Sequence, residues 1–251
     1  MKMKFFFQLL SIIPLLACFS EVDSTHFDFT SPPSSKQLSL PPSMLYRAHP
    51  WHGPSLGERA PEVVNCYIEI VPASTIKFEM DKETGILKVD RPHQYSSLCP
   101  TLYGFIPRTY AGARVAEYTS QKTGNPHIVG DSDALDVCVL TDNVFVHGDL
   151  LLKARPIGGF RLLDNQEADD KIIAILEGDL TFGNIQNISE CPEKLINQLR
   201  HFFLTYKEIP DKEKQAKIQI THLYGREEAL EVIKRSHQDY LDYISSYQHP
   251  D

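Results

Sequence analysis

The chain has 251 residues, of which 42% are hydrophobic and 23% charged, and its 25 Lys and Arg against 33 Asp and Glu leave a formal charge of −8. This is the composition of an ordinary globular protein, so collagen-like, wholly disordered and multi-span membrane classes are excluded. The acidic balance argues against a nonspecific polyanion binder.

In chain order, residues 1–19 come first: "MKMKFFFQLLSIIPLLAC" places Lys2 and Lys4 before an apolar run too short to span a bilayer comfortably, the pattern of a secretory signal. Leu15, Leu16, Ala17 and Cys18 resemble a lipoprotein processing site, with Cys18 as the lipidated residue. Export or anchoring at Cys18 follows if that signal is real, with membrane contact through the N-terminus alone. Initiation near Met44 gives a cytoplasmic product instead. Residues 20–48 read as a Ser/Pro-rich tether ("TSPPSSKQLSLPPS"), and 49–251 as the folded domain. His49, Trp51 and His52 lack the neighbours of a zinc site and are expected to pack at the domain edge.

From residue 63 the text is strand-first. Short alternating segments at 63–71, 75–80, 86–90, 136–140, 150–155 and 171–176 are separated by turn signals such as "KETG", "GDSD" and "HGD", a spacing that suggests a small barrel. No GxxxxGK[ST] or GxGxxG occurs, which argues against a nucleotide-binding sheet. "PEKLINQLRHFFLTYKE" carries Leu195, Leu199, Phe202, Phe203 and Tyr206 at helical spacing. "AKIQITHLY" reads as a strand, and "GREEALEVIKRSHQDYLDYISSY" as a second amphipathic helix. Cys66, Cys99 and Cys138 form no CxxC pair; Cys66 and Cys138 lie in apolar, strand-like text that favours buried free thiols.

Acids gather where packing does not need them. "GDSDALDVCVL" holds Asp131, Asp133 and Asp136, and "RLLDNQEADDKIIAIL" holds Asp164, Glu167, Asp169 and Asp170, each just ahead of an apolar strand. Two such loops meeting at one barrel mouth suit several hard cations bound through oxygen, with magnesium as the default ion. An EF-hand fails, because Asp136 stands where its sharp-turn glycine belongs. Lys77, Arg91, Lys171 and Lys207 set among these carboxylates suit phosphate oxygens, which points to phosphoryl chemistry.

Five ordered segments, "YIEIVPASTIKFEMDKETGILKVDR", "YGFIPRTY", "GDSDALDV", "ARPIGGFRLLDNQEADDKIIAI" and "HFFLTYKE", resemble the soluble inorganic pyrophosphatases of family I. The resemblance runs from about residue 49 to residue 245. It implies a mainly β fold: a closed five-stranded OB-like β-barrel with two long helices of the C-terminal half packed outside. It implies magnesium-dependent hydrolysis of inorganic diphosphate to two orthophosphates by in-line attack of a metal-activated water, with several Mg2+ ions per site. Asp131, Asp136, Asp164 and Asp169 match the metal ligands, and Asp133 the general base. Lys77, Arg91, Tyr103, Lys171, Tyr206 and Lys207 match the groups that grip the phosphates, with Glu69 and Glu79 supporting. A homo-oligomer is also implied, a hexamer rather than a dimer if the chain is bacterial.

Departures from the family pattern are Ser132 and Ala134, where the turn usually reads Gly and Pro, and Cys99 and Leu102, where hydroxyl or polar side chains are common. Two other functions fit parts of the text: a magnesium-dependent hydrolase of nucleotides or short polyphosphate, and a noncatalytic OB-like barrel binding nucleic acid. The second needs a basic groove with exposed aromatics, which the clustered acids disfavour.

Overall fold

The computed structural model describes residues 47–93, 95–207 and 217–248, with the backbone alone at 247 and 248. The signal-like segment, Cys18, Met44 and all but the last two residues of the tether lie outside the described residues. Among the described residues there are ten strands: β1 (Val64–Ile70), β2 (Ile76–Met80), β3 (Leu87–Pro92), β4 (Leu102–Phe105), β5 (Val129–Gly130), β6 (Asp136–Leu140), β7 (Leu150–Asp164), β8 (Glu167–Ala168), β9 (Lys171–Leu176) and β10 (Ile218–Gly225). The helices are α1 (Ala113–Thr123), α2 (Glu193–Thr205) and α3 (Arg226–Gln248).

The strands expected from alternation are present within a residue or two of their expected limits, with one exception. β7 runs to Asp164 rather than stopping near 155. Pro156, Gly158 and Gly159 look like turn residues in sequence, but they sit inside the strand at a bulge between Pro156 and Gly158. The glycine at 159 is required by a close approach: a Cβ there would stand 2.5 Å from the Tyr224 hydroxyl of β10.

That long strand overturns the expected architecture. Strands β1, β4, β6, β9 and β7 pair in a ring, since β1 also pairs with β7, but the ring is not the closed five-stranded OB-like barrel expected. β1 meets β7 only over Leu150–Ala154, while the later part of β7 pairs with β8 and β10. One strand is therefore a ring member at its start and part of an open extension at its end, giving an eight-stranded mixed sheet. β2 and β3 form a separate hairpin. Among the described residues three α-helices, rather than the two long helices expected, accompany the sheet. The sequence pattern marks no helix at α1, and Gly112 supplies it no side-chain cap. Its N-terminus is capped instead by Asp239 of α3, which accepts from the backbone N–H groups of Gly112, Arg114 and Val115 at 3.0–3.1 Å.

β6 and β9 are buried on both faces, which explains their unbroken apolar runs. Val137, Val139, Ile172 and Ala174 pack with Ala229, Val232 and Ile233 of α3 on one side. Cys138, Leu140, Ile173 and Ile175 pack with Leu199, Phe202 and Phe203 of α2 on the other. The two strands are parallel, with Asp136 opposite Lys171 at their first residues, and Phe105 of β4 opposite Asp136. Polar side chains thus begin where the apolar runs stop, at one end of the sheet. Trp51 is buried, as expected for the domain edge, and its Nε1 donates to the Thr109 carbonyl at 2.8 Å.

Candidate active site

A cavity of about 410 Å³ opens at that end of the sheet, and all thirteen residues singled out in the sequence line it: Asp131, Asp133, Asp136, Asp164, Asp169, Glu69, Glu79, Lys77, Arg91, Tyr103, Lys171, Tyr206 and Lys207. They come from seven strands or their flanking loops and from the end of α2. Glu167 of the second acidic cluster also lines it, as do Asp90 and Lys82, which the sequence did not mark as site residues. Asp90 directly precedes Arg91, and Lys82 sits in the "DKETG" turn, so both had a positional signal.

The loop carrying Asp131, Asp133 and Asp136 is held from several sides. Asp131 Oδ1 accepts from the Asp133 N–H at 3.0 Å, closing an Asx turn, and Asp133 Oδ1 accepts from the Ala134 N–H at 2.8 Å. Ala111 N–H donates to the Asp133 carbonyl at 2.8 Å, and Thr109 Oγ1 accepts from the Leu135 N–H at 2.9 Å. Gly130 passes so close to Ala111 that a Cβ would lie 2.0 Å from its carbonyl oxygen. Ser132 takes φ +61°, the left-handed region where glycine is at ease.

Cations of the chain hold the acids. Lys171, only 2% exposed, places Nζ against both Asp136 and Asp169. Lys82 Nζ lies 2.9 Å from Asp133, and Lys207 Nζ donates to Asp164 at 2.5 Å. Lys77 Nζ donates to Glu79 and Asp90, each at 2.8 Å, and Arg91 also pairs with Asp90. Tyr103 donates its hydroxyl to Asp136 at 2.5 Å. Burial pushes the Glu69 carboxyl up to about 8, although it accepts from the Met80 N–H at 2.7 Å. Burial, then the charges of Asp169 and Asp136, raises Asp131; burial likewise raises Asp133 and Asp169. Burial lowers Lys171, yet Asp136 and Asp169 outweigh it and keep the ammonium well above its usual range.

Nine carboxylates and five cationic side chains therefore face one cavity. Its donors are oxygen, with no His or Cys, which is the chemistry of a hard divalent cation. Among the described residues no group of three acid, imidazole or thiol side chains already forms a ready-made metal cage. Cys99 is not part of the cavity: it is buried, its thiol donates to the Thr101 carbonyl at 3.4 Å, and burial pushes it up to about 11. Leu102 is buried in the core beneath α3.

The inorganic pyrophosphatase family profile matches residues 66–241. This chain belongs to that family. Membership agrees with the resemblance to soluble family I pyrophosphatases carried by the five sequence segments. An inorganic pyrophosphatase of Chlamydia trachomatis serovar D is 55% identical over 198 residues, 78% of this chain and 95% of that protein. A soluble inorganic pyrophosphatase of Oryza sativa subsp. japonica is 36% identical over 216 residues, covering 85% and 90%. The crystal structure of an inorganic pyrophosphatase from Thermus thermophilus superposes with a TM-score of 0.64 at 30% identity, covering 77% of this chain and 99% of the other.

Proposed function

We propose that this pyrophosphatase-family chain hydrolyses inorganic diphosphate to two orthophosphates, with magnesium as the supporting cation. The observation that carries the reading is the acidic surplus of the cavity, nine carboxyl groups, of which Glu69 is held up to about 8, against five cations. A small anion with several charges has binding groups there in Lys77, Arg91, Lys171 and Lys207, but the surplus of acids opposes it unless divalent ions enter too. That balance calls for several ions per site.

Asp131, Asp136, Asp164 and Asp169 are the residues to hold magnesium. When bound, it supplies neutralisation of phosphate charge and a lowered pKa for a nearby water. Asp133 accepts the proton of the attacking water, from a carboxylate kept in place by the Ala134 N–H. Water is the nucleophile in this reading, and no Ser, Thr or Cys lines the cavity among the described residues. Lys77, Arg91, Lys171 and Lys207 take up phosphate oxygens, exchanging part of their carboxylate partnership for them. The hydroxyls of Tyr103 and Tyr206 donate to the same anion. Glu69 and Glu79 hold the cavity wall, Glu69 through Met80 and Glu79 through Lys77. The chain is further proposed to assemble as a homo-oligomer, for which sedimentation is the test.

Phosphate release is measured from diphosphate, tripolyphosphate and ATP, with magnesium and with chelator. Rapid magnesium-dependent release from diphosphate, falling roughly 10²–10⁴-fold in Asp133→Asn, is expected. Equal or faster turnover of ATP would overturn the substrate assignment.

A further inference from the structure

The acidic run ahead of β9 does not all face the cavity. Asp169 and Lys171 line it, but Asp170 between them points the other way and is 2% exposed. Residues 169 and 170 belong to no strand; they form the step from β8 to β9. The backbone of that step is tied by the Asp169 N–H, which donates to the Leu162 carbonyl at 3.0 Å.

The Asp170 side chain supplies a second tie. Arg161 of β7, fully buried, donates Nε to both Asp170 oxygens at 3.2 Å, and its Nη2 lies 3.1 Å from Oδ2 as an ion pair without a hydrogen bond. The Tyr224 hydroxyl of β10 donates to Asp170 Oδ2 at 3.1 Å. The guanidinium lies 5.1 Å from the ring centres of both Tyr118 of α1 and Tyr224, and its Nη2 is 3.2 Å from Glu228 of α3. Two strands, β7 and β10, thus hold the two-residue step, while α1 and α3 pack against the guanidinium that holds it.

A buried ion pair is a poor source of stability, because apolar residues of similar volume often serve as well or better. Its value lies in direction: the pair admits one arrangement of charges, whereas a packed leucine tolerates several. We propose that Asp170, clamped by Arg161 and Tyr224, is a positioning residue for the reaction, fixing the step from β8 to β9 so that Asp169 and Lys171 keep their aim into the cavity. The inference rests on the hydrolytic reading of that cavity.

The test replaces the clamp by apolar residues in the full chain, as the double variant Arg161→Met with Asp170→Leu, and compares it with wild type. Three readouts are taken: thermal melting, magnesium binding by titration calorimetry without substrate, and kcat/KM for diphosphate. The double variant is expected to melt within a few degrees of wild type yet bind magnesium at least fivefold more weakly, with kcat/KM reduced at least as much. A folded double variant whose magnesium affinity falls less than fivefold overturns the proposal. If the double variant does not fold, Tyr224→Phe decides: a fall of twofold or more in magnesium affinity at unchanged melting temperature supports the clamp, and a smaller change overturns it. A wild type that binds magnesium but releases no phosphate defeats the hydrolytic reading instead, since the binding comparison does not depend on turnover.

Discussion

Ser132→Gly tests whether the loop between the two acids Asp131 and Asp133 is held under backbone strain. Ser132 has φ +61°, and an L-residue in the left-handed region costs roughly 1–2 kcal/mol. Glycine removes that cost but gives back about 0.5–1 kcal/mol through the greater freedom of the unfolded chain. The serine side chain is exposed, so its loss adds little. The net gain is about 0.5–1 kcal/mol, a rise in melting temperature of roughly 1–4 °C for a domain of this size. Ser132→Ala keeps the strain and is expected to melt at or below wild type. Calorimetry of the three proteins separates these outcomes. The kcat for diphosphate should stay within about twofold, because the backbone donors to Asp131 and Asp133 are unchanged. A glycine variant that melts no higher than the alanine variant would refute the strain.

Asp239→Ala removes the remote cap of α1 and exposes three N–H groups, for an expected loss of about 2 kcal/mol and faster amide exchange confined first to Gly112–Ala116. The Asp179 carboxyl would be raised by burial, but the N–H groups of Phe182 and Thr181 and the Thr141 hydroxyl outweigh it and hold it below the usual carboxylate range. Its contribution is present above the unfolded value, about pH 4, and is lost as pH falls through the lower folded value; Asp179→Asn should therefore show a shallower loss of melting temperature below pH 4 than wild type. Lys82→Met breaks a half-exposed ion pair with Asp133, so stability should change by less than about 1 kcal/mol. The kcat/KM for diphosphate should fall several-fold at low salt and converge on wild type as salt screens the lost charge.

The candidate site was more legible than the fold. Acids clustered ahead of apolar strands are hard to explain by packing, and the cavity brings together all of them but Asp170, with every residue assigned by resemblance. What escaped were partners whose meaning depends on the third dimension. Lys82 reads as an ordinary turn residue until the hairpin brings it to Asp133, and Asp170 reads as one more site acid until Arg161 turns it inward. In the fold, period-two alternation located most strands. β7 runs past the alternating segment 150–155, and the glycine it needs at 159 is dictated by Tyr224, distant in sequence. α1 was missed because its cap lies 127 residues away from Gly112. The closed barrel failed for the same reason as the short β7: the strand that joins the ring also carries the sheet beyond it.

Anomalous diffraction from crystals of the full chain grown with manganese in place of magnesium, with and without diphosphate, addresses the site most directly. Peaks within coordination distance of Asp131, Asp136 and Asp169, with Lys171 Nζ moved off Asp136 toward a phosphate oxygen, are the expected result. Manganese bound only elsewhere, with Lys171 still clasped between Asp136 and Asp169 in the presence of diphosphate, would contradict the assignment of this cavity.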